Sequence, residues 1–436
     1  LRFIIRRFYL LIITLILVSA AVFLITELSP GNVARNILGA FVTPEQEASF
    51  LKQMGLDKPV YVRYPYWLLG SDWHASRRIG LPLKRIMTQK GFEEWWAVRE
   101  DGELIQWKLK GEDLIAQVMH SDGSTEEYLD NQRWREGENG TAYFWGVDNQ
   151  NHAVKWEKGV DHKVWTFIIG TGWVQTTGGP LEYIPLKKGI IRADPGLSLR
   201  TGRPVAASLF IRLRNSLFLA GVAFVIVMPL ALLLGVAAGL KEGSLRDRLL
   251  SIGGMMLSVV PEFATGIFLI LIMALWLGLV PGATVFGEEM PWENLEMLIL
   301  PVLTLTLIEL GYVLRITRAS VVEVMKAPYI RTAFLKGLPY RRVVFKHAMR
   351  NAMMAPITVI MLHVNWLLGR IVIVEVVFGY PGLGKYLLES ALYKDFNALA
   401  AGTMILVTVS VATQLIADIG YTFLNPRIRY NEASAA

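Results

Sequence analysis

Apolar residues in this chain fall into long runs separated by polar connections. A helix rises 1.5 Å per residue, so about 20 apolar residues cross the roughly 30 Å hydrocarbon core of a bilayer. Six runs meet this criterion and predict six membrane-spanning helices. They are approximately Phe8 to Leu28, Leu217 to Leu240, Leu249 to Leu279, Leu295 to Thr317, Ala355 to Val377 and Leu399 to Leu424.

The first run has an alternative interpretation as a cleaved signal peptide. Arg2, Arg6 and Arg7 precede its apolar part, and the segment 18–20, Val-Ser-Ala, is typical of a cleavage site. The apolar run continues past Ala20, which favours a retained helix.

Charge sets the expected orientation. The formal net charge is +7, and the cations cluster beside alternate ends of the apolar runs, a pattern typical of cytoplasmic loops. We therefore expect both termini in the cytoplasm, and residues 287–296 and 378–398 outside. No recognised nucleic-acid module is present, so the positive charge does not indicate nucleic-acid binding. The chain has no cysteine and six scattered histidines, so no disulfide or metal site is predicted.

Residues 72–193 differ from the rest, because they are polar, rich in tryptophan and patterned with a period of two. Trp96 and Trp107 flank one polar turn, and Trp145 and Trp156 flank another at the same spacing, which predicts repeated β-hairpins. A further turn is predicted at 121–124. Exposed tryptophans would bind a ligand or partner, but we favour the interpretation that they fill the core of a small sheet.

Four of the polar side chains inside apolar runs are candidate site residues, because polar groups there are costly enough to indicate an inward-facing or water-lined position. Glu262, Glu309 and Asn365 are candidates for the translocation pathway, although each could instead bond to a neighbouring helix. Glu375 is a candidate for an external gate or for a structural hydrogen bond. Pro261 and Pro301 are expected to permit bends rather than to touch solute.

A glycine-rich loop resembles a nucleotide site only superficially. Residues 379–386, Gly-Tyr-Pro-Gly-Leu-Gly-Lys-Tyr, match a phosphate-binding loop until Tyr386 replaces the magnesium-binding Ser or Thr. Its expected position outside the cell offers no ATP. We interpret it as a Gly/Pro bend at the membrane interface.

The stretch 327–352 contains six Lys or Arg and no acidic residue. Ile330, Ala333 and Phe334 have helical spacing, Gly337 can end a helix in the left-handed conformation, and Pro339 can start another. The pattern predicts two helices joined by a bend, with an apolar stripe that docks to a partner. A surface that only faces lipid headgroups is the alternative.

The order of motifs along nearly the whole chain resembles the permease subunits of binding-protein-dependent ABC importers, in the dipeptide, oligopeptide and nickel branch. The matching segments are Leu28-Ser-Pro-Gly31, Gly55-Leu-Asp-Lys-Pro59, Asp194 to Pro204, Leu300-Pro301, Thr317 to Ser320, Tyr329 to Leu338, His347 to Ala352, Glu375 to Gly384 and Asn425 to Arg429.

This resemblance implies a non-catalytic chain that lines half of a pathway and relays motion from separate ATPases. Arg331, Thr332 and Ala333 take the places of the family's Glu-Ala-Ala motif, and Gly337 takes the place of its turn glycine. Arg331 replaces the acid of the wider superfamily, which leaves open whether this position makes the same contact with the ATPase. The full set implied to couple to the ATPase is Tyr329, Arg331, Thr332, Ala333, Lys336, Gly337, Leu338, Arg341 and Arg342.

The implied partners are a second related permease, two ATPase subunits and an extracytoplasmic binding protein. ATP and magnesium would bind the ATPases, with no cofactor on this chain. The implied location is the bacterial inner membrane. The clear departure from the family is the insertion at 72–193, whose role cannot be carried over.

We therefore expect a mainly α-helical polytopic membrane protein of six transmembrane helices with an inserted extracytoplasmic β-rich domain. A secondary transporter or channel with an accessory β domain, or a membrane-anchored receptor, remain alternatives. The expected segments are an amino-terminal helix at 1–29, an extracytoplasmic segment at 30–71, the insertion at 72–193, a return segment at 194–205, a five-helix core at 206–426 with coupling helices at about 327–350, and a tail at 427–436.

Overall fold

A computed structural model describes most of the chain. The described residues are 2–28, 35, 39, 42–53, 56–79, 82–87, 93–99, 101–110, 113–129, 135–136, 142–147, 153–158, 164–168, 173–177, 182–185, 188–284 and 291–424. The chain divides into two compact units. The strand-containing unit is Phe23–Ala206 with Tyr393–Ala401, and the helical unit is Leu1–Val22, Ala207–Leu392 and Gly402–Ala436.

The amino-terminal helix α1 (Arg2–Leu28) passes from one unit to the other, and three shorter helices precede the strands. These are α2 (Pro44–Gln53), α3 (Val60–Leu69) and α4 (Asp72–Ile79). Arg192 is held against this region, because its guanidinium is 2.9 Å from Asp72 Oδ2 and donates at 2.8 Å to the carbonyl of Leu69. The hydrogen bond to Asp72 raises the pKa of Arg192 above its ordinary value.

Eleven strands lie between residues 83 and 185 among the described residues. They are β1 (Leu83–Met87), β2 (Glu93–Val98), β3 (Leu104–Lys110), β4 (Asp113–Met119), β5 (Thr125–Leu129), β6 (Arg135–Glu136), β7 (Ala142–Val147), β8 (Ala153–Lys158), β9 (Val164–Ile168), β10 (Trp173–Thr177) and β11 (Glu182–Pro185). They form a five-stranded and a six-stranded antiparallel sheet, each with its strands in sequence order. Strands that follow one another along the chain within a sheet are therefore paired in antiparallel fashion.

Both predicted tryptophan-flanked hairpins are confirmed. Strand β2 pairs with β3, and β7 pairs with β8 in a register that sets Trp145 opposite Lys155. Gly102 takes a φ of 82° at the first turn, a conformation that glycine adopts without a Cβ clash. The turn predicted at 121–124 joins β4 to β5, where Asp122 Oδ1 accepts from the amide of Ser124 at 2.8 Å.

The first sheet is covered on both faces at its second strand. Trp95 and Trp96 are adjacent, so their side chains point to opposite faces, yet they are only 4% and 2% exposed. The burial of Trp96 agrees with the expectation that tryptophan fills the core. The side chains of Trp107, Trp145 and Trp156 lie outside the described part. That 72–193 forms a separate inserted domain stays a prediction.

The helical unit contains the long apolar helices. They are α5 (Val205–Gly239), α6 (Leu245–Val259), α7 (Glu262–Leu269), which continues as a π-helix over Ile270–Trp276, α8 (Ile299–Met325), α9 (Pro328–Leu335), α10 (Tyr340–Arg342), which continues as a π-helix over Val343–Ala348, α11 (Met349–Ala352), α12 (Met354–Val377), α13 (Leu383–Leu392) and α14 (Phe396–Leu424). In this unit, apolar side chains from α5, α8 and α12 pack around Leu305, Val374 and Phe378.

The predicted span from Leu249 to Leu279 is broken into two helices. The chain bends by 105° between α6 and α7. Val260 is extended, at φ −70° and ψ 130°, because the ring of Pro261 disfavours a helical residue before it. Pro261 thus makes the expected bend, whereas Pro301 lies in the first turn of α8, where a missing amide costs little.

In the described part of the chain, three helices are long and apolar enough to cross a membrane, or four if the bent pair counts as one span. The predicted count of six is therefore not confirmed. The helices nevertheless cover the predicted apolar runs, and α12 at Met354–Val377 matches its run to within one residue.

Candidate functional site

The basic stretch forms the predicted pair of helices. Pro328 occupies the first turn of α9, a position that its missing amide and fixed φ suit. Gly337 ends this helix with a φ of 75°, and its amide donates to the carbonyl of Phe334 at 2.9 Å. Pro339 precedes the next helix at Tyr340. The chain therefore bends at residues 336–339 as predicted.

The inner face of this pair is packed within the chain. Ile330, Val343 and Ala348 are fully buried in one cluster, and Ala333 is 9% exposed in the same cluster. The predicted apolar stripe is thus only partly available to a partner. Its first two members, Ile330 and Ala333, hold the two helices together. Phe334 is 40% exposed, and its ring lies 6.1 Å from that of Tyr340.

The outer face is basic, and we call it the basic surface. Its members are the exposed residues Arg331, Lys336, Arg341, Arg342 and Lys346. Thr332 and Gly337 are exposed beside them and Leu338 is half-buried. Tyr329 accepts from Asn351 Nδ2 at 2.8 Å, so this side chain also joins the start of the first helix to the end of the second.

Two contacts join α8 to its neighbours. Ser320 on α8 donates to the carbonyl of Ala352 at 2.8 Å, one residue before the turn at Met353. Arg318 on α8 donates to Asp247 at the start of α6, with Nη2 2.7 Å from Oδ2. Asp247 is 2% exposed and also accepts from the amide of Gly243 at 2.9 Å. The motif 317–320 is therefore where α8 meets both neighbours.

Glu262 and Glu309 come together around a residue that the sequence analysis did not select. Arg370 on α12 lies with Nη1 3.5 Å from Glu262 Oε1 and with Nε 3.3 Å from Glu309 Oε1. His363 Nδ1 lies 2.6 Å from Glu309 Oε2. We call Glu262, Glu309, His363 and Arg370 the charge cluster.

Burial is uneven across the charge cluster. The side chains of Glu309 and His363 are 1% and 6% exposed, whereas those of Glu262 and Arg370 are 22% and 29% exposed. Glu262 is the first residue of α7, where the helix dipole favours a carboxylate. An Arg and a His inside a predicted apolar span are the same signal that selected the glutamates, so applying it to both charge signs would have found them.

The other two candidates lie apart from this cluster. Glu375 is fully buried and accepts hydrogen bonds from the Ser216 hydroxyl and, at 2.7 and 3.2 Å, from the amides of Gly384 and Lys385. These amides belong to the glycine-rich loop, and their hydrogen bonds are already accepted by a carboxylate of the chain itself. This supports the interpretation of the loop as a structural bend. The side chain of Asn365 lies outside the described residues.

Comparison with known proteins identifies the family of this chain. Residues 231–430 match the family described as "Binding-protein-dependent transport system inner membrane component", and residues 1–78 match its amino-terminal family. The oligopeptide transport system permease protein AppB of Bacillus subtilis is 32% identical over 57% of this chain and 80% of its own length. The chain belongs to this permease family.

Other relatives of the permease agree. The dipeptide transport system permease protein DppB of Escherichia coli strain K12 is 28% identical over 66% of the permease and 88% of its own length. A putative peptide transport system permease protein of Brucella abortus strain 2308 is 35% identical over 55% and 76%. A solved chain described as "Crystal structure of an amino acid ABC transporter with histidines" covers 49% of the permease at 14% identity, with a TM-score of 0.40, which is too low to establish a shared fold.

Family membership makes this chain a permease subunit of an ABC importer, a multi-pass inner-membrane protein that works in a complex with other subunits. Proteins of this family are non-catalytic membrane components. The family favours this function over the secondary transporter, channel and receptor interpretations. Neither family match covers residues 79–230, which include all the described strands.

Proposed function

We propose that the permease carries peptides or a related small solute and lines half of the pathway, with a second, related permease lining the other half. An extracytoplasmic binding protein delivers the solute, and two separate ATPase subunits bind ATP and magnesium. Both termini lie in the cytoplasm. The choice of solute is supported by the relatives, which are named as oligopeptide and dipeptide transport system permeases.

The observation that carries the coupling role is the division of the helix pair into two faces. One face packs inward through Ile330, Ala333, Val343 and Ala348, and the other face exposes the cations, with no acidic residue in the stretch to pair with them. Cations that only bind lipid headgroups do not require a rigid helix bend as support. A contact that transmits motion does require such a support. We therefore assign Tyr329, Arg331, Thr332, Lys336, Gly337, Leu338, Arg341 and Arg342 to the ATPase contact. Ala333 supports this surface from inside.

The test is charge reversal on the basic surface in the reconstituted transporter. The double variant Arg341→Glu/Arg342→Glu is expected to lose at least about ten-fold in ATP-driven uptake, since two charge-assisted contacts of about 1.5–3 kcal/mol each become repulsive. Gly337→Pro should act similarly, because proline cannot adopt a φ of 75°.

Arg248→Glu is the matched control, since Arg248 is exposed on α6 outside the helix pair. Membrane level and ATPase co-purification are measured beside uptake. The proposal predicts normal membrane levels in all three variants, with uptake and ATPase recovery reduced only in the first two. Full uptake by the double variant would contradict the coupling role.

A further inference from the structure

The charge cluster is costly where it lies, and neutral packing would be cheaper. Glu309 is the eleventh of 27 residues in α8, which is roughly 15 Å along this helix and far from either end. Ionisable groups at such depth face the interior of the bundle or a water-filled space. Replacing buried ion pairs by apolar residues is often neutral or stabilising, so stability alone does not account for this set.

Arg370 is held less tightly than a structural arginine. Charge-assisted N–H to O contacts are about 2.7–2.9 Å long, whereas its two ion pairs are 3.5 and 3.3 Å. Among the described residues, these two ion pairs are its only polar contacts. A guanidinium has five N–H donors, and Glu309 Oε1, although buried, accepts no hydrogen bond. Most N–H donors of Arg370 therefore have no close acceptor among the described residues, and its side chain is 29% exposed.

The carboxylates beside Arg370 do not depend on it equally. Glu309 keeps a partner if Arg370 turns away, because His363 Nδ1 is 2.6 Å from its other oxygen. Glu262 is 22% exposed and lies at the amino terminus of α7, where the helix dipole stabilises its charge. Arg370 can thus exchange one carboxylate for another without leaving a fully unpaired buried charge.

We propose that Arg370 is a transient binding site for the carboxylate of the solute as it crosses the permease. Glu309 and His363 position the guanidinium between passages, and Glu262 competes with the solute for it. A guanidinium binds a carboxylate through two parallel N–H contacts, which fits the free carboxyl terminus of a peptide. This assignment rests on the proposed function, because it presumes a solute with a free carboxylate.

The experiment compares trialanine with its carboxyl-terminal amide in proteoliposomes that contain the complete transporter, its binding protein and ATP. The wild type is expected to take up the free acid about ten-fold faster than the amide, as expected for a charge-assisted contact. The readout is the ratio of the two uptake rates within each variant, normalised to the affinity of the binding protein for each peptide. Differences in delivery and in the amount of transporter then cancel.

Arg370→Gln should bring this ratio close to one and spare uptake of the amide. Arg370→Lys keeps the charge but loses the paired donors, so its ratio should be intermediate. Arg315→Gln is the matched control, since Arg315 is an exposed arginine on α8 whose guanidinium lies 5.7 Å from the ring of Tyr312. It should keep the wild-type ratio. Glu262→Gln removes a competitor and should raise the ratio; with Arg370→Lys, it tests the proposal if Arg370→Gln fails to assemble.

Unchanged ratios in both Arg370 variants, or a wild-type ratio of one, would overturn this inference and leave the proposed function intact. Equal loss of both peptides in Glu262→Gln, with unchanged ratios in the Arg370 variants, would assign the site to the peptide ammonium and also overturn it. A wild type that takes up neither peptide with ATP would instead overturn the proposed solute.

Discussion

Replacing Glu375 by alanine is expected to detach the end of α12 from the start of α13. The carboxylate is fully buried, and it accepts from two first-turn amides of α13 and from the hydroxyl of Ser216 on α5. The same hydroxyl accepts from the amide of Leu383 at 2.7 Å. The Glu375 carboxylate therefore accepts hydrogen bonds from donors on two helices, and alanine would leave these donors without an acceptor.

The cost follows from the groups left behind. A buried donor without an acceptor costs about 1–3 kcal/mol, so the amides of Gly384 and Lys385 together lose about 2–6 kcal/mol. Lys385 is only partly buried, which places the expected loss near 3–4 kcal/mol. Glutamine keeps one oxygen for both amides. Its amide nitrogen then donates to Ser216, whose oxygen has a lone pair to spare, so Glu375→Gln should cost only about 1 kcal/mol.

The assay is thermal unfolding of the purified transporter in nanodiscs. A change of 1 kcal/mol shifts Tm by about 2–4 °C in domains of this size class, so Glu375→Ala should lower Tm by about 6–16 °C and Glu375→Gln by about 2–4 °C. Glu389→Ala is the control, because its only described pair is a 3.9 Å contact with Lys385 on the same helix. A Tm of Glu375→Ala equal to that of the wild type would refute the reasoning. Normal Tm but abolished uptake in Glu375→Gln would favour the gate instead.

Two further predictions concern close packing and pH. A Cβ at Gly311 would overlap the carbonyl of Gly254 and the hydroxyl of Ser258, so Gly311→Ala should separate α8 from α6 and cost at least about 1–3 kcal/mol, whereas Gly221→Ala, with open space around it, should be neutral in the same Tm assay. His120 lies 2.5 Å from Glu103, and this hydrogen bond raises the pKa of His120. Its contribution is fully present below pH 6.5 and is lost as pH rises through the raised pKa, so hydrogen exchange at 119–125, corrected for intrinsic rates, should accelerate with pH in the wild type but not in His120→Gln. Equal pH dependence in both proteins would contradict the assignment.

Sequence periodicity predicted those features that depend on nearest neighbours. The hairpins around 96–107 and 145–156 and the left-handed Gly337 follow from local turn chemistry, and they were predicted correctly. The apolar runs identify helices but do not determine their ends. Helix α8 continues past the predicted end at Thr317 to Met325, and Arg318 in this extension pairs with Asp247 on α6.

Features that depend on contacts between distant residues were beyond the sequence. Glu262, Glu309 and Arg370 are separated by at least 47 positions, and only folding shows that one guanidinium lies beside both carboxylates. The inward packing of Ile330 and Ala333 was missed for a similar reason. An apolar stripe indicates that something covers it, and Val343 and Ala348 of the same chain do so.

Helix α8 carries Glu309 of the charge cluster and ends next to the helix pair, and its contacts restrict how motion could pass between these two proposed sites. Ser320 at one end bonds to Ala352 beside the basic surface, and Glu309 near the middle faces Arg370. Between these residues, Gly311 packs so closely on Gly254 that α8 cannot slide far along α6 without steric overlap. If a displacement of the basic surface moves α8 while the Ser320 bond is kept, this close packing would carry α6 with it. Since α6 ends at the Pro261 bend, one residue before Glu262, a movement of α6 relative to α12 would change the distance between Glu262 and Arg370. The same packing that stabilises the helices would then adjust the charge cluster at each cycle.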